Sequence, residues 1–303
     1  MAYNCVVLAK QVPDTKRITG KVMNDDGTVN RSALPTVFNP EDLNALELAL
    51  QIKDKFGGRV TVISMGPPTA AAILRDSFFR GADDTILISD PGCAASDTLA
   101  TSYILNCAVK KLDYDMVLCG RQAIDGDTAQ VGPQLAEKLG ITQITYVEEL
   151  TELNGKTITV RRNIGAGWQQ VKTNLPVLLT VTSDANEPRV AAAKKMMKYK
   201  NALTTIEVEQ KIRSENPQAD EASIKELVVH KCNELEQKGL LIQRWDLKFI
   251  GADLNWCGQS GSPTKVHRIQ SVVLAAKESK EIQSTDDGIA NMIHELIEDK
   301  IIA

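Results

Sequence analysis

Aromatic side chains make up only 4% of the 303 residues, too few to suggest a surface that stacks nucleobases. Histidine occurs three times, at His230, His267 and His294, far apart and without ligand-like neighbours. That distribution argues against a zinc enzyme or a histidine-based triad. The six cysteines, Cys5, Cys93, Cys107, Cys119, Cys232 and Cys257, form no CxxC pair. A structural zinc site or an iron–sulfur cluster asks for tighter clustering. Cys5 in YNCVVLA and Cys119 in DMVLCG lie inside apolar runs and read as buried, reduced thiols. Neither sign of charge dominates: 35 basic and 39 acidic residues leave a net charge of -4. There is thus no electrostatic case for nucleic acid or an anionic membrane. No apolar run approaches the length of a membrane span. No cationic or Arg/Ser-rich leader precedes YNCVVLAK, so a cytoplasmic protein without membrane insertion is expected. The phosphate-loop pattern GxxxxGK[ST] is absent. GAGWQQ (165–170) lacks the third glycine of a dinucleotide fingerprint and follows no parallel strand.

What is present is a composition of 43% hydrophobic and 24% charged residues, ample for a globular core. The length points to two domains, or one with extensions. Near-continuous apolar runs, CVVLA (5–9), RVTVIS (59–64), DTILIS (84–89) and DMVLC (115–119), read as parallel strands covered on both faces. Helical patterns alternate with them over 41–55, 68–80 and 96–112; in the first, Leu43, Leu46, Ala49 and Leu50 recur at helical spacing. The alternation predicts an α/β fold: an open, mostly parallel sheet with right-handed crossovers. After Gly140 the texture changes. TQITYVEEL, KTITVRRN and WQQVKT read as antiparallel strands, with Asn154-Gly155 as a hairpin turn, and are expected at one edge of the main sheet. LPVLLTVT (175–182) reads as another buried strand. ADEASIKELVVHKCNELEQKG (219–239) and STDDGIANMIHELIEDKIIA read as amphipathic helices of a C-terminal extension. The expected division is an α/β domain over 1–190 and a partner-binding arm over 191–303.

Three segments directly follow strand ends: AKQVPD (9–14), MGPP (65–68) and GRQAIDGDTAQVG (120–132). Ligands of open parallel sheets sit outside the carboxyl ends of the strands, so these loops should crowd one edge and form a binding site. In the longest, Gly120 and Gly126 permit conformations that expose successive amides, Thr128 and Gln130 add neutral donors, and Arg121 adds a positive charge. The helix after it starts between Asp127 and Pro133. Asp127 with Gln130 resembles a capping box, whereas Pro133 suits the first helical position with Gly132 as cap. Either register leaves free amides facing the loop, which suits a phosphate. Asp125 and Asp127 have no partner base or nucleophile, so glycosidase-like chemistry is disfavoured. They would cap, hold the turn, or accept hydrogen bonds from a sugar.

Taken in order, VVLAKQVPD, NPEDLNALELAL (39–50), SMGPP (64–68), GRQAIDGDTAQVGPQLAE (120–137), LPVLLTVT, NEPR (186–189) and GSPTKV (261–266) resemble the beta subunit of an electron transfer flavoprotein over most of the chain. The resemblance implies an α/β domain of the adenine-nucleotide-binding type, paired with a larger alpha subunit, and electron transfer between flavin and redox partners. It implies a nucleotide site at positions matching Ala9, Asn39, Pro40, Glu41, Asp42, Met65, and the run Gly120, Arg121, Gln122, Ala123, Ile124, Asp125, Gly126, Asp127, Thr128, Ala129, Gln130 and Val131. Lys10 and Gly66 join that set, Lys10 with Arg121 as cations that could stabilise anionic flavin or phosphate. Simple carriers of the family hold AMP there. Bifurcating members hold FAD, take a hydride from NADH, and send electrons to ferredoxin and, through the alpha subunit, to a dehydrogenase. Simple carriers show a further acid and an Asn where this chain has Gly126 and Thr128-Ala129, so the form DGDTAQVGP looks like the bifurcating type; the physical reason would be room, with Gly126 and Ala129 withdrawing side chains where a flavin diphosphate is threaded. The implied terminal partner is an acyl-CoA dehydrogenase-type flavoenzyme, with a lactate dehydrogenase as runner-up. The alternatives are the AMP-binding carrier and a non-redox nucleotide-binding sensor.

Two features depart from the simple carriers. Ala193 stands where a Leu docking anchor is expected, in VAAAKKMMKYK, although Met196 and Met197 offer adaptable apolar contacts. An insertion covers roughly 201–244, read either as a solvated decoration or as an added partner-binding arm.

Overall fold

The computed structural model describes residues 1–14, 35–264 and 281–298. The apolar runs become strands whose alternate side chains feed opposite layers. In chain order the N-terminal half comprises β1 (Cys5–Leu8), β2 (Gln11–Pro13), β3 (Thr36–Phe38), α1 (Pro40–Phe56), β4 (Val60–Met65), α2 (Ala71–Arg80), β5 (Asp84–Ile88), α3 (Thr98–Val109), β6 (Met116–Gly120) and α4 (Val131–Leu139). There follow β7 (Thr142–Asn154), β8 (Thr157–Asn163), β9 (Trp168–Asn174), β10 (Val177–Val181), α5 (Ala193–Tyr199), β11 (Leu203–Thr204), α6 (Thr205–Glu215), α7 (Glu221–Gln237), β12 (Leu241–Trp245) and α8 (Leu247–Ile250). In β1, Cys5 and Val7 enter one core layer with Leu46 and Leu50 of α1 and Leu74 of α2. Val6 and Leu8 enter the other with Ile104 of α3 and Leu135 of α4. That period of two is what a strand covered on both sides requires.

Among the described residues the main sheet has ten strands in the order β11-β12-β5-β4-β1-β6-β10-β7-β8-β9. Every neighbouring pair from β11 to β7 is parallel. The last pairs, β7 with β8 and β8 with β9, are antiparallel, so the hairpin lies at an edge as the sequence predicts. One detail differs: β7 runs parallel to β10 on its inner side and antiparallel only toward β8. Gly155 turns the β7–β8 hairpin with φ +58. The chain reverses its direction of growth across the sheet between β1 and β6, because β4 and β5 add on one side and β6 and β10 on the other.

Helix ends follow local chemistry. Pro40 opens α1, with Glu41 and Asp42 in its first turn and Lys53 and Lys55 in its last, matching the helix dipole. Asp97 caps α3 by accepting the Ala100 amide at 3.0 Å. The NEPR segment is docked onto α1: Arg189 Nε donates to Glu47 at 2.7 Å, and Asn44 and Asn186 exchange side-chain-to-backbone bonds at 2.7 and 3.1 Å. From there α5 packs on α2, with Tyr199 stacked on Phe78 at 4.6 Å, and leaves Met196 and Met197 exposed.

The insertion is helical, with α7 close to the helix expected over 219–239, but it also builds sheet. β11 and β12 continue the parallel order beyond β5, with Gln243 opposite Ile86. Val208 and Ile212 of α6 and Ile224 and Leu235 of α7 close a small core of their own. Two compact units divide the chain, Met1–Lys265 and Val266–Ala303. In the second, α9 (Asp286–Glu298) carries Ile289, Ile293 and Ile297 at four-residue spacing, all exposed. His267 and the Lys265-Val266 end of GSPTKV lie outside the described residues, as do 299–303. Among the described residues no helix is long and apolar enough to cross a membrane.

Leu118 in β6 is fully buried. Leu118→Ala should lower unfolding free energy by about 3 kcal/mol, read from the shift of a urea midpoint at unchanged slope.

Candidate functional site

The carboxyl ends of β1 and β6 part at the reversal point, and the buried carboxylate of Asp42 spans the gap. It accepts the Lys10 amide at 2.9 Å and the Gly120 amide at 2.8 Å, one from the end of each strand. Its α1 neighbours brace the loop that follows β6. Asn39 donates to Gln122 O at 2.9 Å and accepts from the Ile124 amide at 3.2 Å; Glu41 accepts from the Gln122 amide at 3.1 Å. NPED is therefore a template that fixes two loops at once. Burial pushes the Asp42 carboxyl up to about 7, against the pull of the two amides, Asn39 and Lys10.

Above this brace lies a cleft of about 400 Å³. Leu8, Ile63 and Met65 line its floor, and the 120–132 segment forms one wall. The wall is shaped by left-handed backbone, but not at its glycines. Asp127 (φ 50) and Ala129 (φ 53) adopt it, whereas Gly120 and Gly126 do not. Non-glycine residues in that region carry local strain, a feature that gathers at functional turns. Gly120 is required for another reason: a Cβ there would stand 2.7 Å from Asp42 Oδ1 and 2.8 Å from the backbone of Glu41 and Asp42. Gly126 is open, with nothing within 4 Å of a Cβ position. The helix register falls between the two expected ones. α4 starts at Val131 with Gln130 at its cap position and no side-chain cap bond, so the capping box does not form. Pro133 is the third helical residue, where its missing N–H still costs no hydrogen bond.

The two cations are already paired. Lys10 Nζ holds both oxygens of Asp125, at 2.7 and 2.8 Å. Arg121 lies 3.0 Å from Glu41 and 5.5 Å from the Tyr146 ring centroid. Tyr146 has φ 60 within β7, and Arg121 and Glu41 also line a second hollow of about 450 Å³ with Arg162 and Ser183. With its cations matched by acids, the cleft offers an anion mainly backbone amides, the uncapped start of α4 and hydroxyls.

Of the residues singled out from sequence, Ala9, Lys10, Asp42, Met65, Gly120, Arg121, Gln122, Ala123, Gly126, Asp127, Thr128, Ala129, Gln130 and Val131 line the cleft. Asn39, Glu41 and Asp125 stand behind it as brace and counter-charge, while Pro40, Gly66 and Ile124 do not line it. Sequence reasoning missed a fourth wall, the loop after β5 and the start of α3, with Cys93, Ala95, Ser96, Asp97, Thr98 and Thr101. The signal was available, since SDPGCAASD follows a strand end like the other three loops. Thr98 Oγ1 donates to Gln130 Oε1 at 3.0 Å and ties this wall to the 120–132 wall. Burial opposes the charge on Asp97, yet the amides of Ala100, Thr264 and Leu99 hold its carboxyl below the usual range.

Fold and cleft together define a doubly wound α/β protein with a ligand-sized opening at its topological switch point. The chain belongs to the electron transfer flavoprotein family: residues 26–211 match the electron transfer flavoprotein domain. It is 48% identical over 193 residues to an electron transfer flavoprotein subunit beta of Clostridium acetobutylicum, covering 64% of this chain and 73% of that one. It is 45% identical over 213 residues to an acryloyl-CoA reductase electron transfer subunit gamma of Anaerotignum propionicum, covering 68% and 77%. An electron transfer flavoprotein subunit beta of Megasphaera elsdenii matches at 40% over 272 residues, covering 87% and 86%.

Because the folded Asp42 pKa, about 7, lies above its ordinary value of 3.8, its contribution to stability is fully present below the ordinary value and is lost as pH rises through 7. The full swing is about 4 kcal/mol. Asp42→Asn removes this titration, so the wild-type-minus-variant difference in urea stability should fall steadily between about pH 4 and pH 8. A flat difference would show that Asp42 does not titrate there. Gly120→Ala should cost about 2 kcal/mol or more, because the backbone of Glu41 and Asp42 blocks the new methyl as well as Asp42 Oδ1.

Proposed function

We propose that the chain is the beta subunit of a bifurcating electron transfer flavoprotein. It holds FAD in the cleft above β1 and β6, with NADH as donor. It works with an alpha subunit, a ferredoxin-type acceptor and an acyl-CoA dehydrogenase-type flavoenzyme. The observation that carries this reading is the turn from Gly126 to Ala129. The Gly126 and Asp127 amides close the turn on Ala123 O, the left-handed residues Asp127 and Ala129 turn the chain beyond it as anion-binding nests do, and Gly126 leaves the space beside it unfilled. A cleft near 400 Å³ lies within the range of small-molecule sites, roughly 300–1,000 Å³. The Thr128–Val131 backbone and the start of α4 would hold the diphosphate. Leu8, Ile63 and Met65 give a flat ring an apolar floor. When bound, FAD supplies hydride uptake and single-electron release; the chain supplies position, exclusion of water and electrostatics.

In this reading residues 1–190 hold the cofactor and 191–303 meet partner proteins. The exposed isoleucines of α9 and the exposed Met196 and Met197 support the second part. The acyl-CoA partner draws support from the relative whose name places it in an acryloyl-CoA reductase.

Co-purification with the alpha subunit and extraction of bound nucleotides tests the proposal. FAD in both subunits, and NADH oxidation that depends on ferredoxin together with the high-potential acceptor, is the expected result. FAD in one subunit and AMP in the other would sink it in favour of the simple carrier. In Gly126→Glu the new Cβ meets nothing within 4 Å, so the thermal midpoint should move by no more than about 2 °C. The same variant should purify with FAD missing from this subunit.

A further inference from the structure

The described part of GSPTKV, residues 261–264, supplies no residue to the cleft, yet it grips the wall that sequence reasoning missed. Ser262 is buried, at 5% exposure. Its Oγ accepts the Asp97 amide at 2.8 Å and donates to Gly258 O at 2.6 Å, with Ala95 O at 3.3 Å. The Thr264 amide donates to Asp97 Oδ2 at 3.0 Å, while Asp97 Oδ1 caps α3. Gly258, at φ 55, donates to Ser96 Oγ at 3.1 Å; a Cβ on it would stand 2.4 Å from Gly92 O. The loop these bonds hold is strained, with Ala95 at φ 59. A loop in that conformation keeps it only while its surroundings impose it.

We propose that Ser262, with the Thr264 amide, is the latch that positions the 92–97 loop as the fourth wall of the cofactor cleft, so that nucleotide affinity depends on a residue that never touches the nucleotide. The ligand half of this rests on the cleft being a nucleotide site; the loop half does not. Asp97 is the joint, since it lines the cleft, starts α3 and carries both latch bonds. Without the Ser262 hydroxyl the half-buried Asp97 amide loses its acceptor, and the cheapest response is for the loop, already exposed at Gly92, Ala94 and Ala95, to lift further into solvent.

The test uses the full chain paired with its alpha subunit. Amide hydrogen exchange reads the loop, and titration of nucleotide-stripped protein with FAD and with AMP reads the cleft. In the wild type the Asp97 and Gly258 amides should exchange much more slowly than exposed loop amides. Ser262→Ala should speed exchange over 92–98 by about tenfold and weaken the nucleotide that binds by about tenfold, with little change in exchange at the central strands. Ser262→Thr keeps the hydroxyl and should restore both. Unprotected Asp97 in the wild type, or unchanged loop exchange in Ser262→Ala, overturns the latch, as does affinity unchanged while the loop loosens. If neither FAD nor AMP binds the wild type, the nucleotide reading fails, and the proposal that affinity depends on Ser262 falls with it; loop exchange then shows whether Ser262 still holds the wall.

Discussion

One buried carboxylate decides the geometry of the cleft. Parallel strands that part at a switch point leave their last amides without sheet partners, and such amides cannot stay buried and unpaired. Asp42 satisfies one from each side, at Lys10 and Gly120. The bond works only because α1 begins at Pro40, which delivers the side chain to the gap, and because Gly120 has no Cβ to push it away. A carboxylate so fully enclosed is costly, and the raised pKa records that cost. The arrangement persists because the alternative leaves two strand ends open.

Charge in the cleft follows a second logic. A loop with Lys10 and Arg121 invites the reading of an electropositive anion trap. In the structure each cation faces a carboxylate from a neighbouring element, Asp125 or Glu41. What remains for a ligand is oriented dipole: the left-handed turn at 127–129 and the start of α4, since Asp97 already caps α3. Dipoles held by folded backbone need no reorganisation when a charge arrives, and they bring no counter-ions to be displaced. Such a site responds weakly to salt, unlike one built from surface lysines.

Much of this was legible in the residues. Strands with apolar side chains at every position announce burial on both faces, and they came out nearly where CVVLA and DMVLC placed them. The hairpin edge was legible from alternation and from Asn154-Gly155. β11 and β12 were not. A strand of two residues has no period, and β12 buries only Ile242 and Trp245, so its pattern reads as surface. The left-handed residues were misplaced onto glycines because propensity favours glycine there, and tertiary contacts overrode it at Asp127 and Ala129. Pairing of the cations was invisible because Lys10 and Asp125 are 115 residues apart.

The insertion gains meaning from where it sits in the sheet. Read as sequence, 201–244 interrupts the family pattern and invites a choice between ornament and arm. In the structure its last strand, β12, lies beside β5, whose loop forms the fourth wall. Trp245 O receives the Ser89 amide, Arg244 donates to Ser89 O, and the Leu247 amide reaches Asp90, so the root of that loop is held by residues at and just after the insertion's end. The chain then passes through 253–264 and grips the same loop at Ser96 and Asp97. A sheet that ended at β5 would leave this wall on an open edge, where backbone pairs with whatever is nearest. Extending the sheet by β12 closes that edge and places the backing of the wall in continuous chain, which ties the insertion to the shape of the cleft rather than to the periphery alone.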